Sequence, residues 1–195
     1  MTRKTCILIL GMHRSGTSAL ARLCALAGAR LPEQVIQSHE GNAAGHWESQ
    51  RLVNFHQSFL ESLGQSWDDF RPLDITEAQR EAYLERFEYI TRRDYGDADL
   101  IVMKEPRTAR FAALTMTALE GMGYRVCPVH ALRHPLEVAR SLKVRNDTPP
   151  ALAGLVWLRH VIDVETALSD RDHYIVEYDR VIGDAANVAR HLFSH

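Results

Sequence analysis

A chain of 195 residues, 46% hydrophobic and 25% charged, is large enough to bury a good core and reads as one soluble globular domain. Its formal net charge of -2 argues against a general polyanion binder, because nucleic-acid proteins carry an excess of Lys and Arg. No stretch approaches the roughly 20 apolar residues of a membrane span, and the apolar run after Met1-Thr2-Arg3-Lys4 is too short, and too soon cut by His13 and Arg14, for a signal peptide.

Taken in order, Thr5-Cys6-Ile7-Leu8-Ile9-Leu10 predicts a buried strand. Gly11-Met12-His13-Arg14-Ser15-Gly16-Thr17-Ser18 follows as a glycine-bounded turn. Leu20, Leu23, Cys24 and Ala27 then lie at helical spacing before a stop at Gly28. Residues 31–46 show no clear period and predict an irregular loop. Leu52, Phe55 and Phe59 predict a helix to about 63, ended by Gly64. After a turn at 67–72, Thr76-Glu77-Ala78-Gln79 has the form of a capping box. The helix it starts runs to about 93, with Tyr83, Phe87 and Ile90 on one side and a solvated charged face on the other.

A second buried strand is predicted at 100–103, ending in Lys104-Glu105-Pro106-Arg107. Pro106 fits the first turn of a helix that runs to Gly121 or Gly123. Residues 125–132 predict a third strand, although Pro128 is awkward in a central ladder. Arg133-His134 follows it, Pro135 opens a helix to about 144, and a loop at 146–150 leads to a long apolar helix at 152–168. The last elements are a strand at 174–178 and a helix at 185–193.

Strands alternating with helices, without repeat or linker, predict a three-layer α/β/α domain with a mainly parallel sheet. Ligands bind such sheets at the carboxyl ends of the strands, and polar clusters at 14–18, 104–107, 133–134 and 178–180 each follow a predicted strand. Cys6, Cys24 and Cys127 are odd in number and fall in apolar segments, which predicts buried thiols in a reducing, cytoplasmic compartment.

Strand, glycine turn and helix together aim backbone N–H groups and a helix N-terminus at a phosphate. The two glycines have the spacing of a P-loop, G-x-x-x-x-G-K-[ST], but Thr17 stands where the Lys should be and Arg14 is the nearby cation. An ATP-using P-loop enzyme needs that Lys on the β/γ-phosphates and a Ser/Thr on Mg²⁺. Here Ser15, Thr17, Ser18 and Arg14 suit a 5′-phosphate anion without demanding a metal. The pattern resembles the loop of sulfotransferases that use 3′-phosphoadenosine 5′-phosphosulfate (PAPS). That loop reads Lys/Arg-Ser-Gly-Thr-Ser/Thr and is matched by Arg14-Ser15-Gly16-Thr17-Ser18.

The resemblance runs from residue 5 to about 184 and implies a P-loop-containing domain over 1–195, with PAPS as co-substrate and 3′,5′-ADP (PAP) as product. Arg133, followed by Ser141 on the next helix, matches the family pair that holds the 3′-phosphate. An Arg offers a fork of donors to phosphate oxygens, and the Ser hydroxyl adds one more. The structural alternative is Arg133 paired with Glu137 and Ser141 on a solvated face. Lys104 matches the strand-end Lys beside the transferring sulfuryl group, where it would stabilise developing charge with Arg14. Tyr178 matches a late strand-end Tyr that contacts adenine, although Tyr178-Asp179-Arg180 departs from the family's Tyr-Glu-Asp context.

Glu48 is the first candidate for general base, since in the tyrosylprotein and carbohydrate branches a Glu shortly after the first helix has this role. Trp47 next to it could supply an apolar wall. The cytosolic phenol and steroid branch instead uses a His two residues beyond the strand-end Lys, and Pro106 occupies that position here. Glu105 and His46 remain rival bases, and Glu48 could simply cap the helix that follows it. Ten histidines show no metal spacing, and there is no serine-hydrolase elbow, so no catalytic metal is expected.

Cytosolic members continue to a basic, glycine-containing loop over the 3′-phosphate. This sequence reaches His195 without one, which predicts a site closed differently or a shortened domain. Three functions follow: a PAPS-dependent sulfotransferase acting on a hydroxyl or amine of a saccharide or related small metabolite, an ATP-using P-loop kinase, or a non-catalytic nucleotide-binding module. Neither nucleic acid nor membrane insertion is expected.

Overall fold

The computed structural model describes residues 4–36 and 45–193, so half of the loop expected at 31–46 lies outside the described residues. Four strands, β1 (Thr5–Leu10), β2 (Leu100–Lys104), β3 (Arg125–Leu132) and β4 (Tyr174–Glu177), form one sheet in the order β2-β1-β3-β4. Every pairing is parallel. The carboxyl ends of all four strands therefore lie on one edge. The chain leaves β1 to build β2 on one side and β3 on the other, so the loop after β1 sits at the topological switch point.

Helices α1 (Thr17–Leu26), α2 (Gln50–Ser62), α3 (Glu77–Tyr95), α4 (Ala112–Gly121), α5 (Pro135–Asn146), α6 (Pro150–Leu168), α7 (Tyr178–Gly183) and α8 (Ala185–Phe193) complete the described chain. Alternation along β1 sends its side chains to two cores. Cys6, Leu8 and Leu10 pack with Tyr83, Phe87 and Ile90 of α3, Leu119 of α4 and Val164 of α6. Ile7 and Ile9 pack with Leu20, Ala21 and Cys24 of α1, Val181 of α7 and Val188 of α8. A smaller cluster joins Met12 to Val138 and Leu142 of α5 and Val156 of α6, with Trp67 at its rim. The sheet between these layers is the three-layer α/β/α arrangement. No described helix is long and apolar enough to cross a membrane.

The capping box forms: the Gln79 amide N–H donates to Thr76 Oγ1 at 3.3 Å, and the Thr76 N–H donates to Gln79 Oε1 at 3.0 Å. Elsewhere the structure differs from expectation. The turn after β2 is a 3₁₀ segment, Pro106–Phe111, and α4 begins only at Ala112. Buried Thr108, Ala109 and Arg110 tie this segment to the core more tightly than a half-exposed α-helix would allow. Strand β4 ends at Glu177, so Tyr178 is the first residue of α7, an element without a sequence signal of its own. Pro128 is tolerated because it pairs with Leu8 on one side, while β4 first pairs at Val129.

Candidate active site

Loop 11–18 is shaped by two left-handed residues, Arg14 with φ 70° and Gly16 with φ 84°. The Ser15 N–H donates to the Met12 carbonyl at 3.2 Å, closing the turn, and Gly16 forms the N-cap of α1. No side chain caps this helix, so its first-turn N–H groups and positive dipole end face the cleft. Both glycines stand where neighbours leave no room. A Cβ on Gly11 would meet the Ala131 carbonyl oxygen at 2.6 Å, and one on Gly16 would meet the Tyr178 ring at 2.5 Å. Gly16→Ala is expected to destabilise the chain by about 1–3 kcal/mol through strain at a left-handed position. Denaturant unfolding measures this, and an unchanged midpoint would contradict it.

A cleft of about 420 Å³ opens over this loop, lined by Arg14, Ser18, Arg22, Trp47, Arg133 and Tyr178 among others. The Arg133 guanidinium stacks over the Tyr178 ring at 4.0 Å, and its Nη1 donates to the Arg14 carbonyl at 3.1 Å. Its Nε also donates to Glu137 at 2.9 Å, so the pairing weighed as a structural alternative is present alongside the loop contact. Ser141 is not on a solvated face. Its Oγ accepts from Arg14 Nε at 2.8 Å, a contact across 127 residues that locks the loop to α5. Thus Arg14, Arg133, Ser141 and Tyr178 converge around one loop. A second, basic hollow continues beside it, lined by Arg14, Arg133, Arg140, Ser141 and Arg145.

Lys104 enters at the end of β2. Its ammonium is buried and donates to the Glu48 carboxylate, to the His46 carbonyl and to Ser18 Oγ at 3.1 Å. Burial raises the Glu48 pKa above its ordinary value and lowers that of Lys104, while their mutual attraction opposes both shifts. The capping alternative for Glu48 fails. Ser49 is the N-cap of α2, its Oγ accepting from the Leu52 N–H at 2.9 Å. His46 is placed near Glu48, with Nδ1 at 3.9 Å from Oε1.

Glu105, the rival carboxylate, is fully buried and has its oxygens taken. Oε2 meets His56 Nδ1 at 2.7 Å, and Oε1 accepts from Arg107 Nη1 at 2.6 Å. His56 Nε2 continues to the Tyr83 hydroxyl at 2.9 Å, which meets Thr115 Oγ1 at 2.9 Å. Burial alone would raise the Glu105 pKa, but the His56 and Arg107 contacts outweigh it and hold the carboxyl below its ordinary value. This is a structural network under the site. Sequence reasoning missed His56, which carries no local signal, and Arg22, whose place one turn into α1 marks it as facing the loop's outlet.

No protein-family model matches the sequence, and no curated protein matches it. Solved structures do. The sulfotransferase domain from the Synechococcus PCC 7002 olefin synthase superposes with a TM-score of 0.59 at 21% identity, covering 100% of this chain and 74% of that one. The sulfotransferase domain from the curacin biosynthetic pathway gives 0.56 at 19% identity, covering 98% of this chain and 73% of that one. The chain has a sulfotransferase fold. In this chain the loop after β1, the end of β3 and the start of α7 form the edge on which the cleft opens. Among the described residues no group of His, Cys, Asp and Glu has the arrangement of a metal site. Cys6 and Cys24 are buried free thiols, and burial pushes Cys24 up to about 12.

Proposed function

We propose that the chain is a sulfotransferase that moves a sulfuryl group from PAPS to a hydroxyl, or an amine, of a saccharide or related small metabolite. The observation that carries this is the convergence of the Arg14–Ser18 loop, Arg133 with Ser141, and the Lys104–Glu48 pair on one sheet edge. The residues fit the nucleotide. An uncapped helix N-terminus, the Ser15, Thr17 and Ser18 hydroxyls and Arg14 suit its 5′-phosphosulfate, Arg133 and Ser141 its 3′-phosphate, and the Tyr178 ring its adenine. The structural relatives, sulfotransferase domains of an olefin synthase and of the curacin biosynthetic pathway, favour a metabolite as acceptor.

When bound, the nucleotide supplies a sulfuryl group activated by its attachment to phosphate. Transfer forms the acceptor O–S bond, breaks the S–O bond to the 5′-phosphate and releases the acceptor's proton. Glu48 takes that proton, and its raised pKa makes it a stronger base than an exposed carboxylate. Once Glu48 is neutral, Lys104 loses its counter-charge and is free to stabilise negative charge on the departing phosphate. Arg14, held in place by Ser141, adds positive charge at the same loop.

Transfer of ³⁵S from labelled PAPS across an acceptor panel tests the activity. Binding of 3′,5′-ADP without transfer to any acceptor would favour a non-catalytic module. Because Arg14, Lys104 and the α1 N-terminus supply the positive field, transfer is expected to survive EDTA. Complete loss restored by Mg²⁺ would point to ATP-type phosphoryl transfer instead.

A further inference from the structure

Three basic side chains have no named role in this mechanism. Arg107 donates to Glu105 through Nη1, but its Nε is buried with no hydrogen-bond partner. His13, inside the phosphate loop, has a buried Nε2 that is likewise unpartnered. Arg145, near the C-terminal end of α5, donates to Asn146 and lies over the Trp67 ring at 5.5 Å, with no carboxylate partner among the described residues. The same indole meets the His13 ring edge-on at 4.8 Å. Trp67 is therefore a wall shared by His13 and Arg145. Its loop is pinned by Arg110, which donates to the Asp69 and Arg71 carbonyls at 2.7 Å each.

The charges here do not balance. Glu48 is engaged by Lys104, and Glu105 by His56 and Arg107. Burial, then the charges of Arg107 and Arg145, keeps His13 neutral by lowering its pKa. Arg145 feels repulsion from Arg14 and Arg107 and attraction from Glu48, so these charges lie within electrostatic reach of it. Buried polar atoms without partners are costly, and two of them in one basic nook point to a ligand group that would complete them.

We propose that this nook recognises the acceptor, and that it selects one carrying an anionic oxygen group, a carboxylate or a phosphate, a few bonds from the hydroxyl that is sulfated. The role as acceptor site rests on the sulfotransferase reading; the anion preference does not. Arg107 Nε and the Arg145 guanidinium donate charge-assisted hydrogen bonds to the anion, His13 Nε2 adds a neutral donor, and Trp67 packs against the carbon skeleton. A neutral acceptor's oxygens can accept from the same donors but forgo the ion-pair attraction.

The test is calorimetry on the full chain saturated with 3′,5′-ADP, titrated separately with D-glucuronate, D-glucose 6-phosphate and D-glucose. At least one anionic sugar is expected to bind about 10-fold or more tighter than glucose, the size of a charge-assisted hydrogen bond. Preference for glucuronate assigns a carboxylate, and preference for glucose 6-phosphate a phosphate. Arg145→Gln should remove about 10-fold of that preference; because Arg145 also lines the basic hollow beside Ser141, the variant is titrated at its own saturating 3′,5′-ADP. Arg107→Gln should do the same, but Arg107 also holds Glu105, so Arg145→Gln is the variant that separates binding from folding. Equal binding of all three sugars, or no binding of any, overturns the proposal, as does an anion preference that persists in both variants. If 3′,5′-ADP itself does not bind, the titration is run without it. An anion preference there sustains the nook and removes only the cofactor reading.

Discussion

Replacing Glu48 with glutamine is expected to lower sulfuryl transfer by about 10²–10⁴-fold, the usual share of general-base catalysis, while 3′,5′-ADP affinity hardly changes. Glutamine keeps the shape, and its carbonyl can still accept from Lys104, so the buried ammonium is not abandoned. What is lost is the site for the acceptor's proton. The pH profile gives a second signature. Burial raises the Glu48 pKa, so the acidic limb of kcat/KM should lie above the roughly 4.3 of an exposed glutamate and vanish in the variant. Glu105→Gln should behave differently. It breaks a buried network with His56 and Arg107, and losing one charge of such a pair costs about 3–5 kcal/mol. Its thermal midpoint should fall, with transfer per folded molecule largely retained. If Glu105→Gln stops transfer in folded protein while Glu48→Gln does not, the base belongs to the turn after β2.

Arg133→Ala should weaken 3′,5′-ADP binding by about 10- to 100-fold, the worth of a charge-assisted contact to phosphate, and should affect 5′-AMP little. The guanidinium has two roles in the structure, stacking on Tyr178 and donating to the Arg14 carbonyl. Its loss could therefore loosen the loop as well as the 3′-phosphate contact. The two effects separate by ligand. Loop disorder weakens both nucleotides alike, whereas loss of a 3′-phosphate contact weakens only 3′,5′-ADP. Arg133→Lys is the companion variant: it keeps the charge but not the planar fork, and should recover part of the loss.

The fold was legible because its signals are local. Apolar β-branched runs at 5–10 and 100–103, the Thr76 capping box and the Pro135 helix start each act within a few residues. The misses came where tertiary contacts override local form. Pro106 promised an α-helix, yet the buried run through Arg110 winds as a 3₁₀ segment, and Tyr178 begins a helix where sequence pattern suggested a strand end. In the site, chemistry-bearing residues could be named one by one from their place after strands. Their pairings could not. That Lys104 holds Glu48, that Arg14 donates to Ser141 and that His56 occupies Glu105 are contacts across 56, 127 and 49 residues. His13, Trp67 and Arg145 come from three separate segments, and nothing within any one of them announces the nook they share.

The central claim is that the cleft at the switch point is built for an adenine nucleotide phosphorylated at both the 3′ and 5′ positions. Calorimetry with the unmodified chain tests it most directly, by titrating 3′,5′-ADP, 5′-AMP and ATP with Mg²⁺ under identical conditions. The 3′,5′-ADP complex should form without metal and bind about 10-fold or more tighter than 5′-AMP, the contribution expected of an Arg–phosphate contact. Equal affinity for 3′,5′-ADP and 5′-AMP, or tightest binding of ATP with Mg²⁺, would contradict it.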